Sequence, residues 1–335
     1  MKQAYRRYCI ALLVAVALLF ALPVSSFAEE SLQRIPKELH VTVMCASNPP
    51  IATVQPGETF IVEAYDCFSG LIDCETQVFS ESVPWENVNP ATGPIIIEGA
   101  EPGDILVVSI DKIEIGNQGV MVTAPGMGVI GELITEETTS IIPIVDGYAI
   151  FGPEIHLPIR PMIGTIGVAP AEESIITITP CAHGGNMDFK EVTEGTRLFL
   201  PVFHPGALFA MGDAHAIQGD GEVSVTGLEI NIEATLTIDL LKGKMDALPY
   251  PMLSNDEYLY VIHSELTLDE AVKNGVAKTV RFLQDYTRLN QDEAIRLLSL
   301  ASNVGIAQAV DPLLTIYVEI PWWILNNLGV TEATL

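Results

Sequence analysis

The sequence predicts a mainly β fold of the α+β class, in which a β-sandwich or barrel-like body carries two C-terminal helices packed on it. Three observations lead to this prediction. Short apolar runs alternate with turn residues over about residues 39–240, helical periodicity is absent there, and two capped helical patterns follow over about residues 265–302. Strands at this density without intervening helices favour a sandwich or barrel over βαβ units. A chain of 335 residues can bury a large core.

Residues 1–28 have the order of a secretory signal peptide. A cationic start, MKQAYRRYC, precedes a 15-residue apolar run, and SSFA supplies a small-residue site for cleavage after Ala28. A single membrane anchor is the alternative, but the run is shorter than the roughly 20 residues that span a bilayer. We expect residues 29–335 to form the mature domain, extracytoplasmic (secreted, periplasmic or at the cell surface) and without a stable membrane span.

The β body is predicted from eight short apolar runs. They are HVTVMCA, TFIVEAYDCF, GPIIIEG, DILVVSIDKIEI, MVTAPG, IIPIVDGYAIF, SIITITP and RLFLPVF, and turn sequences such as NPP, QPGE and EPGD separate them. A later alternation changes face, because polar residues occupy even positions from Glu222 to Thr226 and odd positions from Leu228 to Leu240. This reversal predicts a β-bulge at Gly227 and indicates that Glu222 faces a cavity.

The C-terminal part has helical periodicity. Thr267 and Glu270 form a capping-box pattern, and Asn290 and Glu293 repeat it. The residues predicted to face inward are Ala271, Val272, Val276, Val280, Leu283, Ile295, Leu297 and Leu298. A last strand is expected over about residues 313–320.

The charge of the chain excludes one class of partner. The formal net charge is −27, and it becomes −30 without residues 1–28, which hold three basic residues and no acid. A protein this acidic repels phosphate backbones, so we expect no nucleic-acid partner. Solubility or adaptation to salt explains the charge equally well, so it does not indicate a substrate.

Four cysteines follow the predicted signal peptide, namely Cys45, Cys67, Cys74 and Cys181. In an oxidising compartment some could pair, and four cysteines allow three connectivities. Cys67 and Cys74 are close enough in sequence for one bridge. Buried thiols are the alternative, and the chain has no Cys-x-x-Cys zinc motif.

Two polar stretches interrupt the apolar β region, CAHGGNMDFKEV at 181–192 and GDAHAIQGDGEV at 212–223. Asp213 and His215 lie two residues apart on a predicted strand, hence on one face, and such a pair commonly binds a divalent metal. Asp188 and Glu222 could complete the site. The Gly184–Gly185 pair permits positive φ angles, so its amides could contribute to an oxyanion hole with the Asn186 amide; a tight turn is the alternative.

These stretches, with TGPIIIEGAEPGDILVVSI, LFLPVFHPGALFAMGDAHAIQGDGEV and ASNVGIAQAVDP, resemble the acetamidase/formamidase family over roughly residues 39–320. The resemblance implies hydrolysis of a short aliphatic amide to a carboxylate and ammonia. It also implies a mostly β fold, self-association as a homodimer or higher homo-oligomer, and a divalent metal, with zinc as the first choice and calcium as the second.

The resemblance carries over to individual positions. HGGNMD is matched by His183, Gly184, Gly185, Asn186 and Asp188, and GDxHAxQGDGE by Asp213, His215, Gln218, Asp220 and Glu222. Asp66 in VEAYDC resembles an early acidic position of the family. The chain departs from the usual pattern in its signal peptide and at Phe189 and Lys190, which could reshape the pocket.

On this basis we assign the site residues by chemistry. The metal ligands are Asp66, Asp188, Asp213 and His215. The catalytic residues are Glu222, as general base, with Asp188 and His183. The substrate and oxyanion contacts are Gly184, Gly185, Asn186 and Gln218.

Two other functions stay open at this point. A covalent mechanism could use Cys181, two residues from His183, although a Gly-x-Ser-x-Gly elbow is absent. The chain could also be a secreted non-catalytic or ligand-binding member of the same fold.

Overall fold

The computed structural model describes residues 32–172 and 174–335, so the predicted signal peptide and its cleavage site lie outside the described residues. The strands, in chain order, are β1 (Gln33–Ile35), β2 (His40–Val41), β3 (Val43–Met44), β4 (Ala52–Val54), β5 (Thr59–Ala64), β6 (Ala91–Ile97), β7 (Ile105–Ile115), β8 (Gln118–Thr123), β9 (Thr138–Val145), β10 (Tyr148–Gly152), β11 (Ile155–Pro158), β12 (Met162–Gly167), β13 (Ile175–Ile176), β14 (Gly184–Asn186), β15 (Thr196–Pro201), β16 (Phe209–His215), β17 (Ile232–Leu241), β18 (Met252–Ser254), β19 (Tyr258–Glu265), β20 (Asn303–Gln308) and β21 (Leu314–Pro321). The helices are α1 (Phe79–Ser82), α2 (Leu268–Tyr286), α3 (Gln291–Ala301) and α4 (Trp322–Asn327).

Two large sheets form the β body. One has nine strands in the order β1-β5-β17-β7-β15-β18-β19-β21-β20, and the other has six strands, β14-β12-β16-β6-β2 with β4 beside β6. The largest apolar core takes Val108 and Ile110 from β7 and Ile163 and Ile166 from β12. Because both sheets bury side chains in one core, the predicted mainly β class with a sandwich-like body is confirmed.

A four-stranded sheet, β11-β10-β9-β8, and the two-stranded β13-β3 pair complete the β structure of the described residues. Within residues 32–172 and 174–335, no helix is long and apolar enough to cross a membrane.

The C-terminal helices begin where the capping patterns predict. The Thr267 side chain accepts a hydrogen bond from the Glu270 main-chain N–H, and Asn290 forms both bonds of a capping box with Glu293. Helix α2 packs on β19 and β21. Gly275 permits this close approach, because a Cβ there would lie 2.7 Å from Ile316 Cδ1.

The prediction of an inward-facing side chain is wrong for two residues. Val272 is 38% exposed and Ile295 is 46% exposed. The buried stripe of α3 consists of Ala294 and Leu298, four residues apart, so Ile295 is rotated out of the stripe. Val272 is displaced in the same way from buried Ala271.

The loop before β17 differs from its prediction. Residues 222–226 form a turn rather than a strand, and β17 begins only at Ile232, so the bulge predicted at Gly227 is wrong. The glycine serves a steric purpose, because a Cβ at Gly227 would lie 2.6 Å from His215 Nδ1. The run SIITITP contributes only the short β13, and eight observed strands match none of the predicted ones, namely β1, β4, β11, β12, β14, β18, β19 and β20.

Cys67 and Cys74 do not form a disulfide. The Cys67 side chain is buried, whereas Cys74 is exposed and its Sγ lies 3.3 Å from Gln77 Oε1. The two thiols therefore lie in different surroundings.

The capping box of α3 gives a stability prediction. Asn290→Ala removes the side chain that accepts from the Glu293 N–H, and we expect it to lower the free energy of unfolding by about 1 kcal/mol. Denaturant unfolding measures this change. Asn290→Ser keeps a capping oxygen and should lose much less; an equal loss in the two variants would contradict the assignment.

Candidate active site

Polar side chains from five loops and strand ends gather between the sheets. Asp66 and Cys67 follow β5, Asp188 follows β14, and Asp213 and His215 end β16. The loops around β17 and β20 supply the remaining members of the cluster, namely Glu222, Glu229 and Asp311. Nearly all of these side chains are buried.

The His215 ring is held in one orientation. Its Nδ1 lies 2.7 Å from Gln218 Oε1, and Gln218 Nε2 donates to the Asp188 main-chain oxygen at 2.8 Å. Because an amide oxygen can only accept, Nδ1 carries a hydrogen and Nε2 is left to face the cluster. Nε2 lies 3.1 Å from Glu229 Oε1, 3.4 Å from Asp213 Oδ1 and 3.9 Å from Asp188 Oδ1.

The Asn186 side chain connects several of the carboxylates. Its Nδ2 donates to Asp188 Oδ2 at 2.5 Å and to Asp311 Oδ2 at 2.9 Å. Its Oδ1 accepts from Thr165 Oγ1 at 2.5 Å and from Asn89 Nδ2 at 3.1 Å. Both amide hydrogens are therefore donated to carboxylates, and neither is left for a substrate oxygen.

Three ligand atoms converge without a hydrogen-bond partner. They are Asp188 Oδ1, Asp213 Oδ1 and His215 Nε2, and all three are buried. The other oxygen of each aspartate is satisfied, Asp188 Oδ2 by Asn186 and Asp213 Oδ2 by Asn89 at 2.7 Å. Buried polar atoms without partners are costly, and two carboxylates with one imidazole are typical divalent-metal ligands. The residues present therefore fit a metal ion.

The backbone that carries these carboxylates is strained. Asp188, Asp213 and Glu222 have φ angles of 43°, 52° and 43°. Non-glycine residues seldom adopt such left-handed angles, and they concentrate at functional sites. Gly164 leaves room for the carboxylates, because a Cβ there would lie 2.3 Å from Asp188 Oδ1.

Burial of several acids together dominates the electrostatics. Burial raises the pKa of Asp188, Glu222 and Asp311 well above their ordinary values, and neighbouring carboxylates raise it further. Burial also raises the pKa of Glu229 to about 7, against the opposing effect of His215. Burial disfavours a charged imidazole, yet Glu229 and Asp213 raise the pKa of His215 well above its ordinary value.

The cluster opens into a cavity of about 440 Å³. Apolar side chains, including Phe68, Val122 and Met127, form much of its wall, opposite Asp188, Asp213 and the other acids. Within the described part of the chain, no lysine or arginine lines it. A cavity with an apolar wall and a few convergent polar groups suits a small organic ligand.

Several predicted site residues lie in or beside this cluster. Asp188, Asp213, His215 and Glu222 come together, and Gln218 orients His215 instead of lining this cavity. Asp66 lies close to the cluster, but its Oδ1 already accepts hydrogen bonds from the main-chain N–H groups of Phe68 and Gly70. Burial raises the pKa of Asp66 to about 6.

Other predicted site residues lie away from the cavity wall. His183, Gly184 and Gly185 do not line it. The Gly184 N–H donates to the Cys181 carbonyl, and a Cβ at Gly185 would lie 2.3 Å from the Thr179 carbonyl oxygen. These glycines serve close backbone packing, so the predicted oxyanion role of this pair, and that of Asn186, does not fit the structure. Cys181 is also absent from the wall.

The two departures from the family pattern lie outside the cavity lining. Phe189 is buried in the core, where its ring centroid lies 4.7 Å from that of Tyr317. Lys190 forms an ion pair with Asp220 at 2.8 Å, and neither residue lines the cavity. Asp220 therefore lies away from the buried ligand atoms.

Sequence reasoning missed three members of the cluster, namely Cys67, Glu229 and Asp311, together with Asn89, which donates to Asp213 Oδ2. The sequence places Cys67 among the possible disulfide partners and Glu229 in a strand alternation, and Asn89 gives no signal. Asp311 belongs to the ASNVGIAQAVDP run, whose resemblance could have drawn attention to it.

Comparison with known proteins places this site in context. The model of the acetamidase/formamidase family matches residues 44–176 and 171–327. A solved acetamidase from Bacillus halodurans is 40% identical, with a TM-score of 0.87 over 89% of this chain and 100% of that chain. A predicted acetamidase/formamidase from Thermoanaerobacter tengcongensis is 39% identical, with a TM-score of 0.86 over 89% and 98%.

A curated relative is more distant in sequence. A formamidase from Methylophilus methylotrophus is 27% identical over an alignment of 292 positions that covers 67% of this chain and 71% of that protein. The residues that the family model matches include every member of the cluster, from Asp66 to Asp311.

The buried acids give a pH prediction for the metal-free protein. The raised pKa values of Asp66, about 6, and Glu229, about 7, mean that the folded state binds protons more tightly than the unfolded chain. Their contribution to stability is complete below about pH 4 and is lost as the pH rises through 6 and 7. His183 acts in the opposite sense, since burial lowers its pKa to about 4.

Because the raised acids outnumber His183, we expect chelator-treated protein to be more stable near pH 5 than near pH 7. Chemical unfolding at both pH values measures this difference. Glu229→Gln should reduce the difference, whereas the exposed Glu136→Gln should leave it unchanged. Greater stability near pH 7 in metal-free protein would contradict the prediction.

Proposed function

This chain belongs to the acetamidase/formamidase family, and we propose that it hydrolyses a short aliphatic amide to a carboxylate and ammonia with the help of a divalent metal. Membership makes the chain an amidase, a hydrolase that acts on amide C–N bonds. The observation that carries the proposal is the convergence of Asp188 Oδ1, Asp213 Oδ1 and His215 Nε2, all buried and without hydrogen-bond partners.

These three atoms would hold the metal. A donor set with an imidazole nitrogen suits zinc better than calcium, which prefers oxygen ligands alone, so zinc is our first choice and calcium the second. When bound, such an ion lowers the pKa of water and polarises an amide carbonyl, which are the two requirements of amide hydrolysis. Gln218 would act as a positioning residue, because its bond to His215 Nδ1 keeps Nε2 directed at the site.

Glu222 is our candidate for the proton carrier. One of its carboxylate oxygens lies within 4.8 Å of ligand atoms of Asp188 and His215, and the side chain borders the cavity. A carboxylate at this position can accept a proton from the attacking water and deliver it to the leaving ammonia, and burial, which raises the pKa of Glu222, makes it a stronger base.

We do not assign the polarisation of the carbonyl to Asn186 or to the Gly184–Gly185 pair. Both hydrogens of Asn186 and the Gly184 N–H are already donated within the protein. The amide carbonyl would therefore face a cavity wall of acids and apolar side chains, where a bound cation is the group of the right charge.

The apolar wall supports a substrate in which the acyl group of the amide is aliphatic. A cavity of about 440 Å³ accommodates a small amide, and Phe68, Val122 and Met127 would remove its carbon chain from water. Charged or highly polar acyl groups would lose hydration against this wall without a partner.

We also propose export and self-association. The signal-peptide pattern of residues 1–28 supports export, which N-terminal sequencing of protein from the producing cells tests. Exposed apolar side chains on the β9–β11 sheet support self-association, namely Val145, Tyr148, Phe151, Ile155 and Leu157. Light scattering on the purified protein measures its oligomeric state.

Chelation tests the metal requirement. We expect removal of metal to lower ammonia release from acetamide by about tenfold or more, and zinc to restore it. Cys181→Ala should keep wild-type activity, because Cys181 does not line the cavity. Full activity after verified metal removal, or loss of activity in the Cys181 variant, would support a covalent mechanism instead.

Substitution of Glu222 tests its role. Glu222→Gln keeps the shape of the side chain but cannot carry the proton, so we expect kcat to fall by about 10²–10⁴-fold. Metal content and unfolding are measured on the same samples, and Glu136→Gln serves as an exposed control. Unchanged turnover in folded, metal-loaded Glu222→Gln protein would exclude Glu222 as the base.

A further inference from the structure

We infer that Cys67, Asp213 and Glu229 form a second cation position in the same cavity, with Cys67 as a thiolate ligand for a thiophilic divalent metal such as zinc. The inference deepens the proposed function and rests on it, because it adds a neighbour to the metal site formed by Asp188 and His215. It assigns a role to a cysteine that the amidase reaction described above does not use.

The geometry of the three side chains supports a bound ion. Cys67 Sγ and one carboxylate oxygen each of Asp213 and Glu229 all lie within 4.8 Å of one another, and all three residues are buried. The Cys67 main-chain N–H donates to Glu229 Oε2 at 3.3 Å, which fixes the carboxylate beside the thiol. Asp213 Oδ1 is buried without a hydrogen-bond partner.

The second position is adjacent to the first. Glu229 Oε1 lies 3.1 Å and Asp213 Oδ1 lies 3.4 Å from His215 Nε2. Asp213 and Glu229 therefore border both positions. In hydrolases with two metals the ions are typically about 3.5–4 Å apart, and carboxylates between them are shared.

The charge of the cavity supports more than one cation. Its wall carries five acids, namely Asp188, Asp213, Glu222, Glu229 and Asp311. No lysine or arginine of the described residues lines it, and His215 is the imidazole in contact with these acids. One divalent ion would balance only part of this negative charge when the acids are ionised, whereas two come close to balancing it.

Cys67 has apolar neighbours on one side and carboxylates on the other. It packs in a buried cluster with Phe68 and Val122, and it also borders the cavity next to Glu229 and Asp213. A sulfur ligand favours zinc, cadmium or cobalt over magnesium or calcium. The second position should therefore differ from the first in metal preference.

Cobalt(II) binding tests the inference without relying on activity. Metal is removed from the full-length purified protein, which is then titrated with cobalt(II) under reducing conditions, with absorption and bound metal per chain recorded. We expect two cobalt ions per chain and a sulfur-to-cobalt charge-transfer band in the near ultraviolet. Cys67→Ala should lose the band and one of the two ions.

Three controls make the test specific. Cys74→Ala, at an exposed cysteine, should keep the band and both ions. His215→Ala should lose the ion at the first position, with the charge-transfer band still formed by Cys67. If Cys67→Ala does not fold, cadmium NMR of the wild-type protein gives the same answer, because sulfur-bound cadmium resonates far from cadmium bound only by oxygen and nitrogen.

The outcomes separate this inference from the proposed function. A wild-type protein that binds one cobalt ion, shows no sulfur band and hydrolyses amides overturns the second position and leaves the proposed function intact. A charge-transfer band that survives in folded Cys67→Ala also overturns it. A Cys67-dependent band in a protein with no metal-dependent amidase activity confirms the site and overturns the proposed function.

Discussion

The burial of several carboxylates around one imidazole is the constraint on which the rest of the site depends. Acids removed from water repel one another and hold their protons, unless positive charge is supplied between them. The described residues supply little positive charge to the site, because none of their lysine or arginine side chains lines the cavity. Asn186, Asn89 and Gln218 each form a hydrogen bond to one polar atom of a ligand side chain. The second polar atom of each ligand side chain is left directed inward.

The surrounding fold makes this arrangement possible. Asp188 and Asp213 have left-handed backbone angles that the packed sheets maintain, and Gly164 and Gly227 leave the space that their carboxylates and the His215 ring occupy. A side chain at either glycine would collide with a site residue. Residues that never touch a substrate therefore fix the positions of those that do.

The sequence was informative where the relevant interactions are local. Both helix starts and the placement of Asp213 and His215 on one strand followed from neighbouring residues. Predictions from the sequence were wrong where one local pattern is compatible with two structures. The alternation around Gly227 resembles a bulged strand, yet the segment turns to bring Glu222 into the cavity. The glycine pair at 184–185 resembles an oxyanion loop, yet it packs against main chain.

The sequence by itself determined the mainly β class, the helix caps, the family resemblance and the pairing of Asp213 with His215, because each depends on residues close in the chain or on an ordered motif. Only the tertiary structure decided that Glu229, Asn89 and Asp311 join the cluster and that Cys67 faces Glu229 instead of pairing with Cys74. Cys67 and Glu229 are 162 positions apart. No local pattern encodes such a contact, because β5 and β17 are far apart in the chain and become neighbours only when they pair in the nine-stranded sheet, with Ala64 opposite Ile232.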